Sequence, residues 1–322
     1  MPLDSIRALV KTDLTATDRF LIAELESTVP LINQIVEYIV SCGGKRIRPL
    51  LVLLSAHAFE HKDNHQVQLA AAIELIHTAT LLHDDVVDSA AMRRGKHTAN
   101  HMWGNEASVL VGDFLYSRAF QLIVRLQNLT VMNIFADATN IIAEGEVLQL
   151  INCKNPETTE EAYFDVIARK TGKLFEVSTQ MGPAICARSH DEMLAMKDYG
   201  MHLGIAYQLI DDVLDYSAST EQMGKSQGND LSEGKPTLPL IHAMRSGSMA
   251  EAKLIRESLM TGAIDKLQDV LAVIESTKAI EYTANAAKRH INKAMLALNM
   301  IPDSPYRKAM SDLAEFVVAR DH

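Results

Sequence analysis

The sequence predicts an all-α protein: a single domain over residues 1–322, built as one large helical bundle whose centre is shielded on every side. Three observations carry that expectation. Aromatics are scarce (8 Phe, 8 Tyr, 1 Trp) while Ala, Leu, Ile and Met are abundant, a composition that favours helix over strand. Apolar residues recur at three- and four-residue spacing far more often than they alternate with polar ones. No glycine- or serine-rich linker and no short repeat divides the chain.

The elements follow in order. Asp18–Val40 carries a stripe of Phe20, Leu21, Leu25, Val29, Ile32, Ile35, Val36 and Ile39, read as one helix bent at Pro30. Pro49 suits the first position of a helix running through Phe59. Gln66–Asp88 is apolar almost all round, the mark of a central buried helix. Glu106–Arg125 and Val131–Ile151 have wide apolar faces. Three later helix starts show capping boxes: Thr158 with Glu161, Ser189 with Glu192, and Ser248 with Glu251. Lys278–Asn299 and Tyr306–Arg320 close the chain. Between them Tyr216–Pro239 is polar, with Gly224, Gly228, Gly234, Pro236 and Pro239; a loop this long in a compact domain is usually functional or disordered.

Charge and composition exclude several roles. A net charge of −10, from 31 basic and 41 acidic residues, argues against nucleic acid as a partner. No uninterrupted apolar run reaches the length of a membrane span, and Met1–Asp13 lacks the apolar core of an export signal. Cys42, Cys153 and Cys186 are odd in number and far apart, as reduced thiols are. The expectation is a soluble cytoplasmic protein.

Two clusters carry the chemistry. His83-Asp84-Asp85-Val86-Val87-Asp88 ends the central helix, and Asp211-Asp212-Val213-Leu214-Asp215 repeats the pattern after a second apolar run. Carboxylates three and four apart crowd one helical face and repel unless something cationic compensates. Neither cluster has a basic neighbour at that spacing. Hard oxygen donors without clustered Cys or His favour magnesium, which keeps waters and bridges to phosphates. Helical steps back from Asp84 reach Thr80 and His77, and from Asp211 and Asp212 reach Gln208, so polar residues lie beneath each cluster where leucine would be expected.

Basic residues gather locally. Gly43-Gly44-Lys45-Arg46-Ile47-Arg48-Pro49 sets three cations and two glycines before a helix N-terminus, a pattern suited to phosphate. Arg93-Arg94-Gly95-Lys96 follows the first cluster, Lys170-Thr171-Gly172-Lys173 interrupts a helix, and Lys225 and Lys235 lie in the long loop. Lys96 and Lys173 are read as solvated surface charges. Together these features suit a metal-bound polyphosphate substrate.

In this order, Gly43–Pro49, Asp84–Asp88 with Arg93-Arg94, Gly112-Asp113, Lys170-Thr171 and Gln208–Asp215 resemble the trans-isoprenyl diphosphate synthases, over nearly the whole chain. The stretches His77–Asp88, Met92–Lys96 and Glu233–Leu240 resemble the bacterial synthases that make octaprenyl chains. The resemblance implies the all-α isoprenoid synthase fold, a homodimer, and magnesium-dependent condensation of an allylic diphosphate with isopentenyl diphosphate. It implies that Asp84, Asp88 and Asp211 hold the metal, with Asp85, Asp212 and Asp215 in support. Arg93, Lys170, Lys225 and Lys235 would neutralise the allylic diphosphate, and Lys45, Arg48, His77 and Arg94 would bind the isopentenyl diphosphate. Thr171 and Gln208 would lie beside the allylic carbon, and the long loop over 217–237 would be a lid. Small residues at Ala79 and Thr80, where short-chain members carry aromatics, imply an open tunnel and a long product for a quinone side chain, handed off at the membrane surface. The tunnel floor would lie deeper, near Phe120, Ile123 or Ile142. Two positions depart from the family pattern, Cys42 before Gly43 and Gly172 after Thr171, and neither removes a ligand.

Three rivals are weaker. A metal-dependent phosphohydrolase could use the His83-Asp84 pair with His57 and His61, but leaves the second cluster unexplained. A terpene cyclase has no use for Lys45, Arg48 and Arg94. A noncatalytic partner subunit would be expected to have lost aspartates.

Overall fold

The computed structural model describes residues 3–93, 95–217 and 227–320. It is all-α, 81% helical, with one two-stranded ribbon among the described residues. Helices α1 (Leu3–Ala8) and α2 (Lys11–Glu24) precede α3 (Pro30–Ser41), so the stripe over Asp18–Val40 is carried by two helices instead of one bent helix. Pro30 takes the first position of α3, where its missing N–H costs nothing. Helix α4 (Ile47–Ala58) begins two residues before Pro49, which still falls among the first-turn positions whose N–H groups have no intrahelical acceptor.

The long helix α5 (His65–Val87) matches the expected central element. A ribbon of β1 (Met92–Arg93) and β2 (Lys96–His97) follows, pairing Met92 with His97 and Arg93 with Lys96. Then come α6 (Ala99–Trp103), α7 (Asn105–Arg125), α8 (Leu129–Asn152) and α9 (Glu160–Ile167). The cap of α9 is one residue later than expected: Thr159 Oγ1 accepts from the Ala162 N–H at 3.1 Å, while Thr158 donates to the Asn155 carbonyl at 2.9 Å. A π-turn, Ala168–Gly172, leads into α10 (Lys173–Ile185) and α11 (His190–Ser217). The capping boxes of Ser189 with Glu192 and of Ser248 with Glu251 both form. The remaining helices are α12 (Asn229–Glu233), α13 (Leu238–Ser246), α14 (Met249–Thr261), α15 (Leu267–Ser276), α16 (Ala279–Ala297) and α17 (Pro305–Ala319). Helix α12 lies within the stretch read as loop; residues 218–226, and with them much of the expected lid, fall outside the described residues.

Contacts group the chain into two compact units. One comprises residues 1–136, 174–197 and 297–313, the other 137–173, 198–296 and 314–322. In the first unit α4 and α5 supply the centre: Leu50, Leu51, Leu53, Leu54, Leu69 and Ile73 are all fully buried. Each such side chain contributes about 1.5–3 kcal/mol of hydrophobic stabilisation. Helix α5 packs chiefly on α7, and also on α4 and α2. Helix α7 is, among the described residues, the one helix long and apolar enough to cross a membrane, with mean hydropathy 1.3. It turns Val111, Leu115, Ala119 and Leu122 inward and packs along α5, as a core helix does.

Close helix approach in this unit depends on Gly182 in α10. A Cβ there would lie 2.2 Å from Ser55 Oγ and 2.4 Å from the Ser55 carbonyl carbon, and Ser55 itself donates to the Thr179 carbonyl at 2.5 Å. Backbone cannot move aside as a side-chain tip can. Gly182→Ala should therefore destabilise the protein by about 1–3 kcal/mol, read as a lower midpoint in thermal or urea unfolding; an unchanged midpoint would show that α4 and α10 have slack.

The second unit has its own core, in which Tyr216, Leu231, Leu240, Ile255, Leu259, Val270 and Ile274 pack together from α11 to α15.

Candidate active site

In the first unit the C-terminal end of α5 presents the first cluster. The helix continues through Val87, and Asp88 caps it, its N–H donating to the Asp84 carbonyl at 2.8 Å. Asp84 and Asp88 are half-buried and one turn apart. Asp85 points elsewhere: it is 4% exposed, and its Oδ1 accepts two N–H groups of Arg93 at 2.8 Å. The cation missing from the local sequence is thus supplied by the ribbon. Arg94 lies outside the described residues.

Both arginines of the basic turn before α4 are half-buried and reach α5. Arg46, in the left-handed conformation at φ 48°, pairs with Glu74 of α5. Arg48 reaches His77 of α5, Nη1 to Nε2 at 3.1 Å, and its guanidinium lies 4.6 Å above the Phe175 ring. Two residues expected to share one substrate are therefore adjacent, with Phe175 as a partner that sequence spacing does not reveal. The Lys45 carbonyl accepts from Arg7 at 2.5 Å, which anchors the turn. Ala79 is fully buried, and Thr80 is half-buried with its hydroxyl donating to the His77 carbonyl at 2.8 Å. A cavity of about 460 Å³ opens beside α5, lined by Leu25, Val36, Leu75, Thr78, Leu81 and Asp85 among others. It follows the Thr78–Leu81–Asp85 side of the helix and is not lined by Thr80. Ile123 is buried and Phe120 half-buried in α7.

Two of the three histidines of the phosphohydrolase rival are engaged separately. His83 Nε2 lies 3.2 Å from the Val109 carbonyl and 3.4 Å from Asp113 Oδ1. His57 pairs with Asp13 at 2.6 Å and stacks on Tyr306.

In the second unit the three aspartates of the repeated motif have three different sets of partners. Asp211, 43% exposed, pairs with Arg320 at 2.8 Å. Arg320 is itself 2% exposed, lies 3.7 Å above the Tyr207 ring and donates to the Tyr207 carbonyl. Asp212 is buried, accepting from Tyr163 Oη at 2.5 Å and from Gln208 Nε2 at 2.9 Å. Gln208 Oε1 in turn accepts from Thr171 at 3.0 Å. Burial, with the Asp230 charge nearby, pushes the Asp212 carboxyl up to about 8, against the pull of those two hydrogen bonds. Burial first, then Asp212, raises Tyr163 well above the ordinary phenol range, so it is a donor. Asp215 accepts the Asn229 and Asp230 N–H groups at 3.2 and 3.1 Å, capping α12.

The π-turn positions Lys170 and Thr171, a common use of such bulges at functional sites. Lys170 Nζ meets Glu146 at 2.5 Å, and Gly145 allows the approach: a Cβ there would lie 2.8 Å from Arg169 Cβ and 2.9 Å from the Lys170 nitrogen. Lys235 pairs with Glu233 at 2.5 Å. Lys225 lies outside the described residues.

Arg320, Tyr163, Glu146 and Phe175 were not legible as site residues. Arg320 holds the carboxylate expected to bind metal, and outer partners of such ligands typically matter by about 10–100-fold in metal affinity or activity. Arg320→Ala is expected to show that loss in a magnesium titration of activity; an unaltered metal dependence would remove Arg320 from the site.

An all-helical fold whose two aspartate clusters are flanked by such cations is that of an isoprenoid synthase. The polyprenyl synthetase family model matches residues 29–276, and the chain belongs to that family of metal-dependent trans-prenyltransferases, which elongate allylic diphosphates with isopentenyl diphosphate. It is 48% identical to an octaprenyl diphosphate synthase of Haemophilus influenzae, covering 100% of this chain and 98% of that one. The structure superposes on a decaprenyl diphosphate synthase of Rhodobacter capsulatus with a TM-score of 0.95, 40% identity and all of both chains covered. It superposes on a polyprenyl synthase of Caulobacter crescentus, complexed with calcium and isoprenyl diphosphate, with a TM-score of 0.96 and 38% identity over 99% of this chain and 98% of that one.

Proposed function

We propose that this enzyme condenses farnesyl diphosphate with successive isopentenyl diphosphates to octaprenyl diphosphate, for a quinone side chain. The observation that carries the product length is the 48% identity to an octaprenyl synthase over the whole chain. Asp84, Asp88 and Asp211 would hold the magnesium. The donor set fits: all-oxygen, partly open to solvent, and in each cluster the neighbouring aspartates are tied to Arg93, or to Tyr163, Gln208 and the α12 backbone. When bound, magnesium neutralises the charge that develops on the departing diphosphate.

The chain's own residues do the rest. Lys170, Arg93, Lys225 and Lys235 bind the allylic diphosphate and stabilise it as it leaves. Lys45, Arg48, His77 and Arg94 hold isopentenyl diphosphate so that its double bond faces the allylic carbon, turning a bimolecular attack into an oriented one. The Thr171–Gln208–Asp212–Tyr163 chain of hydrogen bonds fixes the Thr171 and Gln208 oxygens beside that carbon, favouring the transient cation. Departing diphosphate takes the final proton. Apolar walls exclude water, which would trap the cation as an alcohol.

The enzyme acts as a cytoplasmic homodimer that passes its product to the membrane surface. Leu110 and Val124 of α7 are 67% and 51% exposed, a face that a second copy would cover. The reading is tested by incubating the protein with magnesium, farnesyl diphosphate and labelled isopentenyl diphosphate and sizing the lipid. An eight-unit chain is expected. Phosphate release without growth, or a cyclic hydrocarbon from one substrate, would overturn it.

A further inference from the structure

Away from the aspartate clusters, the turn joining α4 to α5 gathers His61, Asp63 and His65 so that one ligand atom from each lies within 4.8 Å of the others. We propose that this turn is a second metal site, selective for zinc-like divalent ions, with His61, Asp63 and His65 as ligands and water completing the shell.

The turn is held at both ends. His61 donates its N–H to the Ala56 carbonyl at 3.1 Å, closing α4, while Asn64 caps α5 and His65 is its first residue. Glu60 between them adopts the left-handed conformation at φ 57°, which directs the chain back across the end of α4. Two ligands, His61 and Asp63, thus come from the turn and the third, His65, from the first residue of α5, with the three ligand atoms within 4.8 Å of one another.

The His61 ring has an unmet need. Its Nε2 is buried and has no hydrogen-bond partner, whereas Nδ1 lies 3.7 Å from Cys186 Sγ, just after α10. A buried ring nitrogen left unsatisfied is uncommon and calls for an explanation such as an ion. Cys186 in the second shell would fix the ring's tautomer and orientation, as outer partners of metal-bound histidines do. The His61 and His65 rings are 6.0 Å apart at 35°, and His65 Nδ1 is 4.0 Å from Asp63 Oδ2. Zinc bonds of about 2.0–2.1 Å set tetrahedral ligand atoms roughly 3.3 Å apart. The side chains of Asp63 and His65 are 71% and 46% exposed, which leaves them room to rotate toward that spacing.

The donors decide the ion. Two imidazoles and one carboxylate suit zinc, cobalt or nickel, whereas magnesium prefers oxygen throughout. The site is therefore distinct in chemistry from the aspartate clusters, and it does not depend on their assignment.

The test uses the full chain, freed of metal by a chelator and held in excess magnesium, titrated with zinc by calorimetry and with cobalt by visible absorption. Wild type should bind one more zinc per chain than His65→Ala or His61→Ala. Its cobalt complex should show d–d bands that both variants lose. Zinc should also raise the unfolding midpoint of wild type but not of the variants. His65 is partly exposed, so His65→Ala should keep its fold and its magnesium-dependent activity. Equal zinc stoichiometry and identical cobalt spectra in wild type and His65→Ala would overturn the proposal.

Discussion

Asp84→Ala should abolish chain elongation, lowering turnover on the order of 10³-fold, while the unfolding midpoint stays near that of the parent. Position and chemistry both lead there. Asp84 is at the end of α5, half-buried, and not packed in the Leu69–Ile73 core, so truncation removes charge without opening a cavity. Asp88, one turn on, remains, and two carboxylates at one helical spacing cannot be replaced by one when a doubly charged ion must bridge to diphosphate. Asp84→Asn isolates the charge, since it keeps the shape and one oxygen, and it should fail almost as badly. The measurement is single-turnover incorporation of labelled isopentenyl diphosphate at saturating magnesium. Full activity in either variant would refute the ligand role, and recovery at higher magnesium would show that Asp84 contributes affinity alone.

Thr80→Phe should shorten the product from eight isoprene units to roughly three or four. One helical turn is about 5.4 Å, close to one extended isoprene unit, and Thr80 lies one turn before Asp84. A phenyl ring there would meet the growing chain within the first addition. Ala79 is the poorer test, because it is fully buried and an aromatic in its place would crowd the core. The cavity of about 460 Å³ on the Thr78–Leu81 side of α5 supplies the control. Thr78→Phe would project a ring into that cavity and should leave product length unchanged. If Thr78→Phe shortens the lipid and Thr80→Phe does not, the hydrocarbon runs along the other side of the helix. Sizing of the extracted alcohols after dephosphorylation decides between these outcomes.

Much of this architecture is readable from local pattern, because helices and their caps are local. The long apolar run of α5 marks it as buried on every side, and the boxes at Ser189 and Ser248 and the paired aspartates follow from spacings of three and four. Local pattern fails where two local solutions compete. Pro30 is as acceptable at the start of a helix as at a bend, and Thr158 and Thr159 are both competent caps, so tertiary packing chose between them. The site divides in the same way. Which carboxylates exist is a matter of sequence; which are occupied depends on residues brought from afar. Arg320 comes to Tyr207 and Asp211 across 113 positions from the former, and Tyr163 reaches Asp212 across 49. Neither carries any periodic signal, since a single long-range hydrogen bond leaves no repeat behind.

The bulge at Ala168–Gly172 has a geometric corollary. Neighbouring side chains on a regular helix diverge by about 100°, but a five-residue ring widens the local backbone and lets Lys170 turn to Glu146 while Thr171, its immediate successor, meets Gln208. A charge handler and a hydroxyl are thereby delivered to different addresses from adjacent codons. The looser winding is the means by which two successive residues of one short segment reach partners on two different helices, Glu146 on α8 and Gln208 on α11.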